Sequence, residues 1–580
     1  MFMKQLLLVK IFVSIFVLSI LSPQASNACT ALMAGKKATA DGSVLMAWCN
    51  DGNRLSWIEI NPSTEFKSGT KIPMLSNRPI AASTLEAYYE QQRKGYNQVG
   101  WLEVPKDVPK KTYHHFIGRA RHMGRSSLGF NEFGLTIGTE YTPMNSTLYN
   151  KHGAFAAGTN HWTTSMAQIA LMKAKTAREA IKVMGALAEE HGFLYYYDEK
   201  VGLSLPIVDK SEAWIMEIFP AGPEWSPGSD KPGAVWCAQK IPDDEFFVFA
   251  NRSRIEKIDL DDKENFLASP NVYSLAEELG LWNPDEDFIW WKVYAQPGGT
   301  WNCLREWDAY NTISPSKNFK ATGDAKIDRY PFSVKPDQPI TADDFLLLMR
   351  SELEGTEWDV TEDPAFNIDG EKSPLARNRG PKHLFDLVSN ITGRDIHPER
   401  AIATDTTTQW IVVQNRDWMP DIIASSMWYS LGPAYTSVLA PIYPMINELP
   451  LSWTKEVDFD KINRDHAAWN FNLVYNLAHY RQQPAMKDIK NVIYPAEDYL
   501  FSMRPIVEQQ AIKIYKKDGK DAAIEYLTDY CYYWFNQIHN SYDELVDYLL
   551  YNYIFEYPEL YKKKLPCVTP NHLLPIMNKK

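Results

Sequence analysis

What is scarce in this 580-residue chain narrows its chemistry first. The six cysteines, Cys29, Cys49, Cys237, Cys303, Cys531 and Cys567, contain no C-x-x-C pair, so the usual zinc spacing is missing. No HExxH occurs, and the adjacent His114-His115 pair reads as part of a strand and loop. Neither a metal nor a cofactor is expected. Beyond the leader, no apolar run reaches the roughly 20 residues of a membrane-spanning helix, so no integral span is expected. Positive charge is outnumbered, with 60 Lys and Arg against 72 Asp and Glu and a net charge of −12. That balance argues against nucleic-acid binding and would welcome a substrate amine. There is no internal repeat and no low-complexity tail. Tyr (31) and Trp (19) are abundant instead, which predicts a large aromatic core rather than a repeated carbohydrate-binding motif.

The N-terminus has the pattern of an exported protein. Lys4 precedes an apolar run over Ile11–Leu21, Pro23 ends it, and Ser26-Asn27-Ala28 puts small residues at −3 and −1. This predicts a signal peptide over 1–28, cleavage at Ala28/Cys29, and a periplasmic or secreted protein. A lipidated Cys29 fits less well, because Ser26 stands where such sites favour Leu. Cleavage before Cys29 would place a thiol and a free α-amine on one residue, a nucleophile beside its own base. An exported compartment permits disulfides, but their connectivity cannot be read from spacing.

Along the chain, Thr30–Ala34 and Val44–Trp48 read as strands flanking a turn at Asp41-Gly42. Leu128–Glu140 alternates around a tight turn at Asn131-Glu132-Phe133-Gly134. Thr163–Ala188 is helical, with capping-box spacing at Thr176-Ala-Arg-Glu179 and a stop at Gly192. Leu205–Val208 and Ala213–Ile218 read as strands, and Pro220–Gly233 as a surface loop. The middle, about 255–400, is irregular; Trp301–Trp307 looks like loop or lid, and Thr341–Leu353 like an amphipathic helix. Strands are expected again at Ala401–Ala403, Gln409–Gln414 and Ile422–Trp428, and helices from Asp460 onward. The expected organisation is an α+β layered fold: a core over 29–455 with irregular insertions and a helical region over 456–580 packed on it.

Several short pieces in this order resemble the bacterial dipeptidase A family of cysteine N-terminal-nucleophile hydrolases. They are Cys29-Thr30 with Gly35-Lys36-Lys37-Ala38 and Asp41-Gly42-Ser43, Asn131–Gly134 through Thr139-Glu140, and Thr176-Ala-Arg-Glu-Ala180. Ala213-Trp214-Ile215-Met216-Glu217, Pro242-Asp243-Asp244, Ala250-Asn251-Arg252, Ser430-Leu431-Gly432-Pro433 and Thr436-Ser437-Val438 continue the series. The resemblance implies a four-layer αββα sandwich with the nucleophile at the tip of a central strand. It also implies hydrolysis of dipeptides with broad side-chain tolerance. One departure stands out. Related enzymes, including the more distant penicillin and bile-salt amidases, commonly carry Arg-Asn-x-Asp at the end of the second strand, where this chain has Trp48-Cys49-Asn50-Asp51.

The site residues expected on these grounds have distinct roles. Cys29 attacks the carbonyl and forms a thioester, with its own α-amine as general base. Asp51 holds an amine, and Asn251 donates to the oxyanion. Arg252 or Arg254 forks the substrate carboxylate. Asn131, Glu140 and Tyr141 form a further wall, where the position near Tyr141 helps hold the oxyanion or Glu140 clamps the free amine of a dipeptide. Two alternatives stay open: an N-acyl amide hydrolase of the penicillin or bile-salt type, and a non-catalytic exported lipoprotein of the same fold. A homo-oligomer is also left open.

Overall fold

The computed structural model describes residues 29–52, 55–65, 71–76, 97–103, 111–120, 125–150, 162–193, 201–555 and 563–567. The expected leader over 1–28 lies outside the described residues. Two antiparallel sheets dominate. The six-stranded sheet runs in the order β13 (Phe246–Phe249), β1 (Thr30–Ala34), β2 (Val44–Asp51), β17 (Thr407–Asn415), β18 (Ser425–Leu431) and β19 (Ala440–Ile442). The nine-stranded sheet runs β14 (Phe266–Ala268), β12 (Ala234–Lys240), β11 (Ala213–Pro220), β10 (Val201–Val208), β8 (Thr136–Gly138), β7 (Arg125–Asn131), β6 (His115–Ala120) and β3 (Ser56–Asn61). In it β9 (Glu140–Pro143) also pairs with β10. Two short hairpins stand apart: β4 (Lys71–Ser76) with β5 (Asn97–Glu103), and β15 (Asn367–Ile368) with β16 (Glu371–Lys372).

The patterning of the strands explains the packing. Every residue of β1, β2 and β17 is buried, the polar ones included, so both faces of these central strands are covered. In β10 and β11 the alternation divides the side chains between two cores. Leu203, Leu205, Trp214 and Met216 pack with α1 (Trp162–Lys173) and α2 (Ala177–His191). Val208, Ile215 and Phe219 join the larger core, which holds the six-stranded sheet, α3 (Thr300–Ile313), α4 (Ala342–Met349) and the C-terminal helices. Thr176 caps α2 by accepting from the Glu179 N–H at 3.2 Å, and Gly192 ends it, as the sequence pattern requires. At the first turn Gly42 has φ +85°, and Asp41 accepts from the Ser43 N–H at 3.1 Å, so the Asp-Gly pair fixes the reversal between β1 and β2.

Three local expectations fail for identifiable reasons. Trp301–Trp307 lies inside α3 rather than in a loop. The helix buries Asn302, Arg305 and Glu306 on hydrogen bonds, so its inner face does not read as apolar. Ala401–Ala403 forms no strand; its backbone is held by other groups, with the Ala403 N–H donating to the Ser351 carbonyl at 3.0 Å. Ile422–Trp428 divides into a short helical turn over 421–424 and the start of β18.

The C-terminal helices are α5 (Ala467–Ala478), α6 (Gln482–Asp518) and α7 (Lys520–Leu549). Two buried ion pairs tie α6 to the core. Arg350, at the end of α4, donates to Glu497 at 2.7 and 2.8 Å, and Arg416, just after β17, donates to Glu508 at 2.7 and 2.8 Å. No helix among the described residues is long and apolar enough to cross a membrane. Buried pairs are sensitive to losing one partner, because the other charge is then stranded. Glu508→Ala is therefore expected to lower stability by roughly 3–5 kcal/mol in urea unfolding. Replacing both Arg416 and Glu508 by apolar residues of similar size should lower it less; an unchanged midpoint in the single variant would contradict this account of how α6 is anchored.

Candidate active site

Cys29 sits immediately before β1 and is only 4% exposed. Thr30 faces Cys49 across the β1–β2 ladder, which brings Cys29 alongside Asn50. The Asn50 side-chain amide points at the Cys29 sulfur, with Nδ2 at 3.6 Å from Sγ. Its orientation is fixed from β17, where the Thr408 hydroxyl donates to Asn50 Oδ1 at 3.0 Å. Asp51 is fully buried next to it. Thr407 donates to its Oδ1 at 2.7 Å, and the Arg400 guanidinium binds its other oxygen. Burial pushes the Asp51 carboxyl pKa up, while Arg400 and Thr407 pull against that shift.

Arg305, which sequence reasoning missed, organises the opposite side. Its NH1 donates to the Cys29 carbonyl at 2.5 Å and to the Thr30 hydroxyl at 2.8 Å. Its NH2 donates to the Ala250 carbonyl at 3.0 Å and to Asn251 Oδ1 at 3.2 Å, and its Nε donates to the Trp301 carbonyl at 2.8 Å. Burial, followed by the nearby Arg400 charge, lowers its pKa to about 10, so it remains a cation at neutral pH. The only signal in sequence was an arginine within the aromatic stretch assigned to a loop.

Asn251 follows β13 in the left-handed region, φ +57°, and is fully buried. Its Nδ2 donates to the Tyr141 carbonyl at 3.0 Å. Asn302 of α3 donates to the carbonyls of Ala250 and Asn251 at 2.6 and 3.1 Å, which holds the turn. Cys29, Asp51 and Asn251 therefore share one buried cluster with Arg305 and Arg400. Glu140 completes it at the start of β9: it is fully buried and neither oxygen has a hydrogen-bond partner. Burial holds the Glu140 carboxyl well above the usual range, against the opposing pull of Arg305. Tyr141 next to it is half-buried and lends its carbonyl to Asn251.

Three expected site residues are placed elsewhere. Arg252 and Arg254 are fully buried and converge on Glu306, with contacts at 2.8 Å from Arg252 Nε and 2.5 Å from Arg254 NH1. Arg252 also donates to the carbonyls of Ala325 and Asp328. Their guanidiniums neutralise a buried carboxylate, in place of the substrate fork expected from sequence. Asn131 donates to the carbonyls of Leu171 and Ala174 at 2.9 and 2.8 Å, so it fastens the β7–β8 turn to the end of α1. His114 and His115 are buried, and burial lowers both pKa values to about 4. Among the described residues no group of three or more His, Cys, Asp or Glu is arranged to hold a metal.

The family model described as peptidase family C69 matches residues 90–494, and the chain belongs to that family. The matched span contains Glu140, Asn251, Arg305 and Arg400, while Cys29 and Asp51 precede it. The chain is similar to a probable dipeptidase of Salmonella dublin, 25% identical over 72% of this chain and 81% of the relative. It is also similar to a probable dipeptidase B of Streptococcus pyogenes serotype M1, 24% identical over 75% of this chain and 76% of the relative. Dipeptidase A of Lactobacillus helveticus is 23% identical over 75% of this chain and 79% of the relative.

Burial, Glu140 and Asp51 all push the Cys29 thiol up, against the Asp51 backbone and Arg305. A raised thiol pKa means little thiolate at neutral pH. Iodoacetamide is therefore expected to label the exposed Cys567 first and Cys29 far more slowly at pH 7, with the Cys29 rate rising in alkali. Peptide mass mapping over time checks this, and rapid labelling of Cys29 at pH 7 would contradict it.

Proposed function

We propose that the chain is an exported cysteine dipeptidase that hydrolyses dipeptides through Cys29 as its N-terminal residue. The observation that carries this reading is the surrounding of Cys29. An arginine fastens its carbonyl, a side-chain amide lies against its sulfur, and an ion-paired aspartate is buried beside it. A cysteine of merely structural use does not need three buried polar groups around it. Membership in a peptidase family and similarity to proteins named as dipeptidases support the same substrate class. On this reading the leader is removed at Ala28/Cys29, and the mature protein is periplasmic or secreted.

The layering supports an N-terminal-nucleophile fold of the αββα type. Helices α1 and α2 cover one face of the nine-stranded sheet, and its other face shares a core with the six-stranded sheet. In the mechanism the freed Cys29 amine takes the thiol proton as sulfur attacks the peptide carbonyl. The developing oxyanion is met by Asn251: one amide N–H is committed to Tyr141, and the second is the donor. The ammonium then protonates the departing amine, and water releases the thioester. Asp51, held by Arg400 and Thr407, positions the amine. Arg305 fixes the Cys29 carbonyl, and with it the direction of the thiol and amine, and it orients Asn251 through Oδ1.

An α-amine titrates at about 7.7–8.0 in the absence of perturbation. It acts as a base only when unprotonated, so kcat/KM on a dipeptide is expected to fall as pH drops through the amine pKa. Cys29→Ala should reduce turnover to background, by at least about a thousandfold by analogy with removal of other catalytic nucleophiles. A rate unchanged at pH 5, or a Cys29→Ala variant as active as the natural protein, would overturn the proposal.

A further inference from the structure

Asn50 touches the Cys29 sulfur, and the ladder between β2 and β17 is broken where its side chain is held. From Asn415↔Val44 to Gln409↔Asn50 the two strands pair one for one, but Asp51 then faces Thr407. Thr408 is the extra residue of a β-bulge, a device that re-aims a side chain. In an unbroken ladder residue 408 would face Asp51, on the side of β2 opposite the Asn50 side chain. The bulge brings in both hydroxyls instead: Thr407 donates to Asp51 Oδ1 at 2.7 Å, and Thr408 reaches Asn50. The Thr408 carbonyl accepts from the Gly432 N–H at 3.0 Å, which anchors the bulge to the end of β18.

The bulge fixes which end of the Asn50 amide meets the sulfur. The Thr408 hydroxyl lies 3.0 Å from Asn50 Oδ1 and 3.1 Å from the Asn50 carbonyl, one hydrogen shared between two acceptors. With the oxygen end held there, the Nδ2 end faces Sγ at 3.6 Å. Asn50 and Thr408 are 1% and 2% exposed, so water competes little for these bonds. Arg305 cannot replace this donor. Its five N–H groups go to the Cys29, Ala250 and Trp301 carbonyls, the Thr30 hydroxyl and Asn251 Oδ1. Burial, then Glu140 and Asp51, disfavours charge on the sulfur, while the Asp51 backbone and the more distant Arg305 charge favour it.

We propose that Asn50 is a catalytic residue whose amide N–H stabilises negative charge on the Cys29 sulfur, and that Thr408 on the β17 bulge is the positioning residue that turns this N–H toward it. The inference rests on the hydrolase reading above and adds two residues to its mechanism. As the Cys29 amine takes the thiol proton, the sulfur becomes an anion and the hydrogen bond from Asn50 strengthens. No proton leaves Asn50. Bond formation to the carbonyl carbon uses the sulfur lone pair and removes the charge. The charge returns when water, deprotonated by the amine, displaces sulfur from the thioester. The same N–H meets it until the ammonium gives the proton back to sulfur.

The test follows iodoacetamide alkylation of Cys29 across pH in the processed protein, by peptide mass mapping, together with turnover of alanyl-alanine. Access to the sulfur scales the alkylation rate, whereas its charge sets the pH at which the rate rises. Asn50→Ala is expected to move that rise upward by about one pH unit or more. It should also lower kcat about ten- to a hundredfold with KM little changed. Thr408→Val should move the profile in the same direction, and Thr408→Ser, which keeps the hydroxyl, should leave it in place. Thr408→Val removes only a hydroxyl, so it decides the matter if Asn50→Ala does not fold. Unmoved profiles in Asn50→Ala and Thr408→Val would overturn the inference even if activity falls, and would leave the hydrolase reading intact. A profile moved by Asn50→Ala but not by Thr408→Val would overturn the role of the bulge. Failure of the natural protein to cleave alanyl-alanine would overturn the hydrolase reading and the catalytic role with it.

Discussion

The Arg305 guanidinium is the constraint on which the rest of the site depends. It is fully buried and joins three separate parts of the chain: the Cys29–Thr30 start of β1, the Ala250-Asn251 turn after β13, and its own helix at Trp301. A buried cation without partners would be strongly unfavourable. The five contacts therefore hold the proposed nucleophile, Cys29, and the proposed oxyanion donor in fixed relation. The sheet supplies the other half of the same geometry. Strand order β13-β1-β2-β17 places residues 29, 51, 251 and 407 at one end of adjacent strands although they are far apart in sequence.

Charge at this end of the sheet is divided unevenly. Two arginines face Asp51, Glu140 and a thiol, and only Asp51 is ion-paired. Burial raises the pKa of Asp51, Glu140 and Cys29 alike, opposed at Asp51 by Arg400 and Thr407. Such a site suits a base supplied by an α-amine better than a preformed thiolate. The nearby Arg252 and Arg254 guanidiniums are both ion-paired to Glu306.

Much of the candidate site was legible where chemistry and chain order coincide. Cys29 could be read from the small residues before it and the strand after it, and Asp51 from its place at the end of the next strand. Asn251 was legible as a residue, but not the left-handed turn that buries it. Arg305 and Arg400 were illegible for physical reasons. Arg305 sits on a helix whose buried face is polar, which defeats hydrophobic periodicity. Arg400 lies outside any regular element and meets Asp51 across 349 residues. Arg252 and Arg254 show the converse: an arginine next to a candidate site residue looks like a ligand anchor until its buried carboxylate partner is seen. Asn131 has a similar history, since only the packed structure shows the helix end it fastens.

The proposed mechanism requires a free Cys29 amine, so the most direct test is the intact mass, with N-terminal sequence, of the protein recovered after export. A chain beginning at an unmodified Cys29 is the predicted result. A chain beginning at another residue, or carrying lipid on Cys29, would remove the base and contradict the mechanism.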